Sequence, residues 1–142
     1  MNSVLSVAVL FGFLALAHAR VQSVGARGIL MCGDRPLNNT RVKLWDDDTG
    51  LDPDDELASV LTDARGSFQL SGYTDEMTDI DPWLKIYHDC DDGVMPCQRK
   101  VKFTIPDKYI NSGNTVTRWF NAGTMNMELV FPEEERDCSF GF

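Results

Sequence analysis

Apolar and polar residues alternate through most of the chain beyond residue 20. In TRVKLW, Val42 and Leu44 share one face while Arg41 and Lys43 take the other, the period-two pattern of a half-buried strand. PWLKIYH likewise separates Leu84, Ile86 and His88 from Trp83, Lys85 and Tyr87. ARGILMC, LASVLT, GSFQLSG, RKVKFTI, NTVTRWFN and MNMELVF complete eight candidate strands, and no segment carries a convincing helical period. CGDRPLNN, TDARG, TDIDP, DCDDG and NSGN supply the residues that turns require. Short, regularly spaced strands predict an all-β sandwich or barrel rather than a parallel sheet.

The chain ends change this picture. Residues 1–19, MNSVLSVAVLFGFLALAHA, form an apolar run closing on Ala17-His18-Ala19, the small-x-small pattern of a secretory signal cut after Ala19. The rival reading, an uncleaved anchor, lacks a basic stop-transfer cluster. No other stretch approaches membrane length, so a secreted, extracellular product that does not span a membrane is expected. Residues 20–142 then make one β-sandwich domain with a polar C-terminal tail. Its formal charge of −9 and pI near 4.5 argue against nucleic acid as a partner. Cys32, Cys90, Cys97 and Cys138 are an even set in an oxidising compartment, so two disulfides are expected. No CxxC pair supports zinc.

Seven carboxylates fall between Asp46 and Glu56. Asp46, Asp48, Asp52 and Asp54 are candidates for a weak calcium site, because millimolar extracellular calcium makes low affinity sufficient. The register of a helix-flanked calcium loop fails, since position twelve counted from Asp46 is Leu57 rather than glutamate. A solvated loop is the simpler reading, and no other cofactor is indicated. Asn38-Asn39-Thr40 is an N-glycosylation sequon in a turn.

The runs RGILMCGDRPLNNTRVKLWDDDTGLDPDDELA, TDARGSFQLSG, DIDPWLKIYHDCDDG, QRKVKFTIPDKYI and FPEEERDC resemble the nematode transthyretin-like family over nearly all of the chain beyond residue 20. The resemblance implies a two-sheet sandwich of eight strands, A to H, in sheets DAGH and CBEF. On that strand order Cys32 and Cys90 close strands A and E at one end, so of three possible pairings Cys32–Cys90 and Cys97–Cys138 are expected, the second tethering the tail.

Related chemistry narrows the function. Hydroxyisourate hydrolase shares the fold but uses several histidines and a C-terminal Tyr-Arg-Gly-Ser. Here the chain ends CSFGF, and His88 is the only histidine after the signal, so no enzyme is expected. The family instead implies a secreted non-catalytic binding protein whose ligand is phosphatidylserine or a cell-surface receptor. Arg99, Lys100, Lys102 and Lys108 are candidate lipid-headgroup ligands, although outward strand charge that blunts a sheet edge explains them as simply. An oligomeric carrier of a small apolar ligand is the alternative.

Overall fold

A computed structural model describes residues 19–47 and 54–142. Ten strand segments follow in chain order: β1 (Arg20–Cys32), β2 (Arg35–Pro36), β3 (Arg41–Asp46), β4 (Asp55–Leu61), β5 (Ser67–Glu76), β6 (Pro82–His88), β7 (Gln98–Thr104), β8 (Asn111–Ser112), β9 (Phe120–Asn126) and β10 (Glu135–Asp137). They build two five-stranded sheets. In the first, the long β1 pairs antiparallel with β5 from Arg20↔Glu76 to Ile29↔Ser67 and parallel with β9, while β2 and β8 add short antiparallel ladders. The second runs β4-β3-β6-β7-β10, antiparallel throughout. The two-sheet all-β sandwich expected from alternation is present, and β4-β3-β6-β7 reproduces the order CBEF.

The core follows from the same alternation. Val24, Ala26 and Leu30 of β1 and Phe68 and Leu70 of β5 face Val42 and Leu44 of β3, Leu84 and Ile86 of β6, and Val101 of β7, all buried. Each such side chain contributes about 1.5–3 kcal/mol by leaving water. The turn before β5 shows how local chemistry sets register. Asp63 Oδ1 accepts from the backbone N–H groups of Arg65 and Ser67 at 2.9 Å. Gly66 closes the turn at φ 76°, where an added Cβ would lie 2.2 Å from the Leu30 carbonyl oxygen, so only glycine fits.

The C-terminal third departs from the eight-strand expectation. NTVTRWFN and MNMELVF contribute a single strand, β9, which spans parts of both. The buried Asn111 explains the loss on the first side: its Oδ1 accepts from Thr117 N, Thr117 Oγ1 and Arg118 N, holding residues 113–119 in a turn. On the second side, the carbonyls of Met127 and Leu129 are taken by Arg99, so they are withdrawn from any sheet ladder. Among the described residues the strand H position of DAGH is therefore unfilled. Instead β10 pairs with β7 and covers the open edge of the second sheet.

Candidate functional site: a cationic, aromatic sheet face

The outer face of the second sheet is assembled by register. Lys43 of β3, Lys85 of β6 and Lys102 of β7 lie directly opposite one another across three strands. On one side of this row Trp45 pairs with Trp83, and on the other Tyr87 pairs with Lys100. The chain has five lysines, at 43, 85, 100, 102 and 108, and the first four occupy this one face of an acidic protein. Like charges directly opposite weaken a sheet pair. The arrangement is thus one that folding alone disfavours.

The aromatic rings compensate. Lys85 Nζ stands 4.1 Å from the Trp45 ring centroid, Lys102 Nζ 5.7 Å from Trp83, and Lys100 Nζ 5.7 Å from Tyr87. Contacts of this kind contribute about 0.5–1 kcal/mol each at exposed sites. Carboxylates border the face: Lys43 is only 6% exposed and its Nζ meets Glu56 Oε1 at 2.7 Å, so its charge is covered, and Lys100 lies 3.4 and 3.6 Å from Glu135 and Asp137. Lys85 and Lys102 have no ion-pair partner among the described residues. Burial, and then the charge of Lys100, pull the Lys85 ammonium below the ordinary lysine range, against the opposing pull of Asp47 and Asp54.

The four cations expected to meet a lipid headgroup do not form one surface. Lys100 and Lys102 are on the face, whereas Lys108 lies in the 3-10 turn Asp107–Tyr109, over the Tyr109 ring. Arg99 points inward and is 8% exposed. Its guanidinium donates to both carboxylate oxygens of Glu134 and to the carbonyls of Cys90, Met127 and Leu129, so every donor is used internally. Arg99 is a structural clamp rather than a surface ligand. The alternation Arg99-Lys100-Val101-Lys102 carries this signal, since Arg99 shares the parity of buried Val101. Lys43 and Lys85 belong to the face and were not among the expected ligands. Their outward parity is visible in sequence, but their alignment needs the strand register.

At one end of the sandwich, ligand atoms of Asp46, Asp55 and Glu76 lie within 4.8 Å of one another. Asp46 is 1% exposed; its Oδ1 accepts from Asp81 N at 2.8 Å, while Oδ2 is buried without a hydrogen-bond partner. Hydrogen bonding with Asp54, then burial and the Asp54 charge, raise the Asp47 carboxyl. Of the expected calcium ligands, Asp46 joins this cluster, Asp54 sits beside Asp47, and Asp48 and Asp52 lie outside the described residues. Asp55 and Glu76 were not foreseen, because Glu76 arrives from β5 in the opposite sheet.

His88 is 1% exposed, its Nδ1 accepts from Cys90 N at 3.1 Å, and its Nε2 is buried without a partner. Burial, and secondarily the Arg99 charge, push its pKa down to about 4, leaving a weakly basic neutral imidazole. It borders a cleft of about 410 Å³ beside Cys32, Asn38 and Gln98. Both expected disulfides form: Cys32–Cys90 joins the sheets with Cα atoms 5.7 Å apart, and Cys97–Cys138 anchors the end of β10 to the start of β7. Asn38 is exposed in the turn before β3, with Thr40 Oγ1 donating to its carbonyl. No helix among the described residues is long and apolar enough to cross a membrane.

A disulfide-stapled sandwich with strand order CBEF, a parallel partner beside its first strand, and a charged outer face defines a transthyretin-type module. Comparison with known proteins agrees. The model of the Transthyretin-like family matches residues 27–106. Among curated proteins of Caenorhabditis elegans, Transthyretin-like protein 33 is 51% identical, covering 97% of this chain and 98% of its own. Transthyretin-like protein 5 is 52% identical over 82% and 84% of the two chains, and Transthyretin-like protein 46 is 49% identical over 90% and 73%. The chain belongs to the transthyretin-like family.

Proposed function

We propose that the protein is a secreted, non-catalytic binding module that acts in the extracellular region, and that its recognition surface is the sheet face whose accessible cations are Lys85, Lys100 and Lys102. The observation that carries this reading is the in-register row Lys43–Lys85–Lys102: folding disfavours it, and an anionic ligand stabilises it. A headgroup such as that of phosphatidylserine, the ligand the family resemblance suggests, would meet Lys100 and Lys102, joined by Lys85 in place of Arg99 and Lys108. The non-catalytic reading is supported by His88, whose ring is buried and weakly basic, and which has no second histidine to work with. Trp45 and Trp83 provide a test. Titration with a small polyanion, inorganic tripolyphosphate, should change tryptophan emission saturably, and Lys85→Gln/Lys102→Gln should abolish the change. A flat titration in the wild type would exclude this face.

A further inference from the structure

We propose that Asp46, Asp55 and Glu76 hold one calcium ion, which ties the two sheets together at the end of the sandwich opposite the Cys32–Cys90 disulfide. The inference is independent of the lysine face. Asp46 closes β3 and Asp55 opens β4 directly opposite it, while Glu76 closes β5 in the other sheet. Their ligand atoms lie within 4.8 Å of one another. Among the described residues no lysine or arginine pairs with Asp46 or Asp55, so carboxylates that repel are brought together from two sheets. The buried member carries the argument. Asp46 is 1% exposed; its Oδ1 accepts from Asp81 N at 2.8 Å, and its Oδ2 is buried with no hydrogen-bond partner. A buried carboxylate oxygen left unpaired destabilises the fold. A cation shared with Asp55 and Glu76 satisfies that oxygen and relieves the repulsion at once.

Donor chemistry selects the ion. Three carboxylates and no nitrogen or sulfur favour a hard cation over zinc. Two oxygens on one calcium, each at about 2.3–2.6 Å, can stand about 5 Å apart, whereas magnesium at about 2.0–2.1 Å allows only about 4.2 Å. A spread of up to 4.8 Å suits calcium without closure of the site. Asp55 is exposed and gives the ion a path from solvent. Position gives the role. β1 starts at Arg20, opposite Glu76, and ends at Cys32, roughly 40 Å along the strand. β6 starts at Pro82, opposite Asp46, and ends at His88, two residues before Cys90. The disulfide therefore staples the sheets at one end. At the other, β4 and β5 are edge strands of different sheets, and the shared ion joins them.

The test is calorimetry of the secreted protein with calcium and, separately, magnesium, joined to amide hydrogen exchange with and without calcium. Saturable calcium binding is expected at about 10⁻⁴–10⁻³ M, the range of extracellular modules, with magnesium at least about tenfold weaker. Exchange should slow at the ends of β3 and β5 together. Asp46→Asn keeps the acceptor for Asp81 N and removes the charge; it should weaken calcium at least about tenfold. Glu76→Gln, at a partly exposed position of the other sheet, should do the same and serves if Asp46→Asn does not fold. Two controls should stay within about twofold: Asp91→Asn, at the disulfide end, and Asp48→Asn/Asp52→Asn, the remaining acidic candidates of the sequence. Calcium binding that survives both cluster variants, or is lost in either control, would overturn the site. Magnesium bound as tightly would overturn the choice of ion, and slowed exchange in one sheet alone would overturn the staple. No calcium heat in the wild type would remove the proposal entirely.

Discussion

Replacing Arg99 with methionine keeps the length and apolar stem of the side chain and deletes all five of its N–H donors. The structure then leaves Glu134, whose side chain is 9% exposed, with its carboxylate supported only by Phe131 N at 3.3 Å. It also leaves the carbonyls of Cys90, Met127 and Leu129 without this donor. Breaking a buried ion pair from one side costs about 3–5 kcal/mol, a large part of the roughly 5–15 kcal/mol that holds a domain together. Urea unfolding of Arg99→Met with both disulfides intact should therefore show a loss of about 3–5 kcal/mol. Adding Glu134→Gln should recover part of it, because the stranded charge is gone. Binding through the sheet face should survive under conditions where the variant is folded. A stability loss below about 1 kcal/mol, or a binding defect in a fully stable variant, would refute the assignment of Arg99 as a clamp.

Three further outcomes follow from the sequence and the structure. His88 has a folded pKa of about 4, below the ordinary histidine value of about 6.5, so the unfolded chain binds more protons between those values and stability falls as pH drops through that window. From pH 7 to pH 5 the wild type should lose about 2 kcal/mol more than His88→Asn, and parallel pH profiles would count against it. Asn38 should carry a glycan on the secreted protein, seen as a glycosidase-sensitive mobility shift absent from Asn38→Gln; an unshifted band would refute occupancy. Calcium should bind weakly at Asp46, Asp55 and Glu76: with an affinity of about 1 mM, 5 mM calcium adds about 1 kcal/mol, a few degrees in melting temperature. Asp46→Asn should remove that gain, and a wild type indifferent to calcium would retire the site.

Much of the sandwich is legible in the sequence because one face of each strand is buried, and burial imposes the alternation. Val42 with Leu44, and Leu84 with Ile86, read correctly as sharing one face, and both pairs are buried. Reading fails where a single side chain overrides local propensity. VTRWF has strand composition, yet Asn111 holds Thr117 and Arg118 in a turn. MELVF has strand composition too, yet Arg99 takes the carbonyls of Met127 and Leu129. Neither capture leaves a trace in the segment it acts on. The face is half legible for a related reason. Parity shows that Lys43, Lys85 and Lys102 each point outward, but a one-residue change of register would scatter them. Only the paired ladder makes them a row.

The claim that these lysines form the recognition surface is tested most directly by reading each one separately. Reductive methylation with a carbon-13 label keeps every charge and gives one resonance per lysine, five in all. On titration with inorganic tripolyphosphate the signals of Lys85, Lys100 and Lys102 should move together with a single affinity, while Lys108 stays in place. Equal movement of all five, or a response confined to Lys108, would contradict the account.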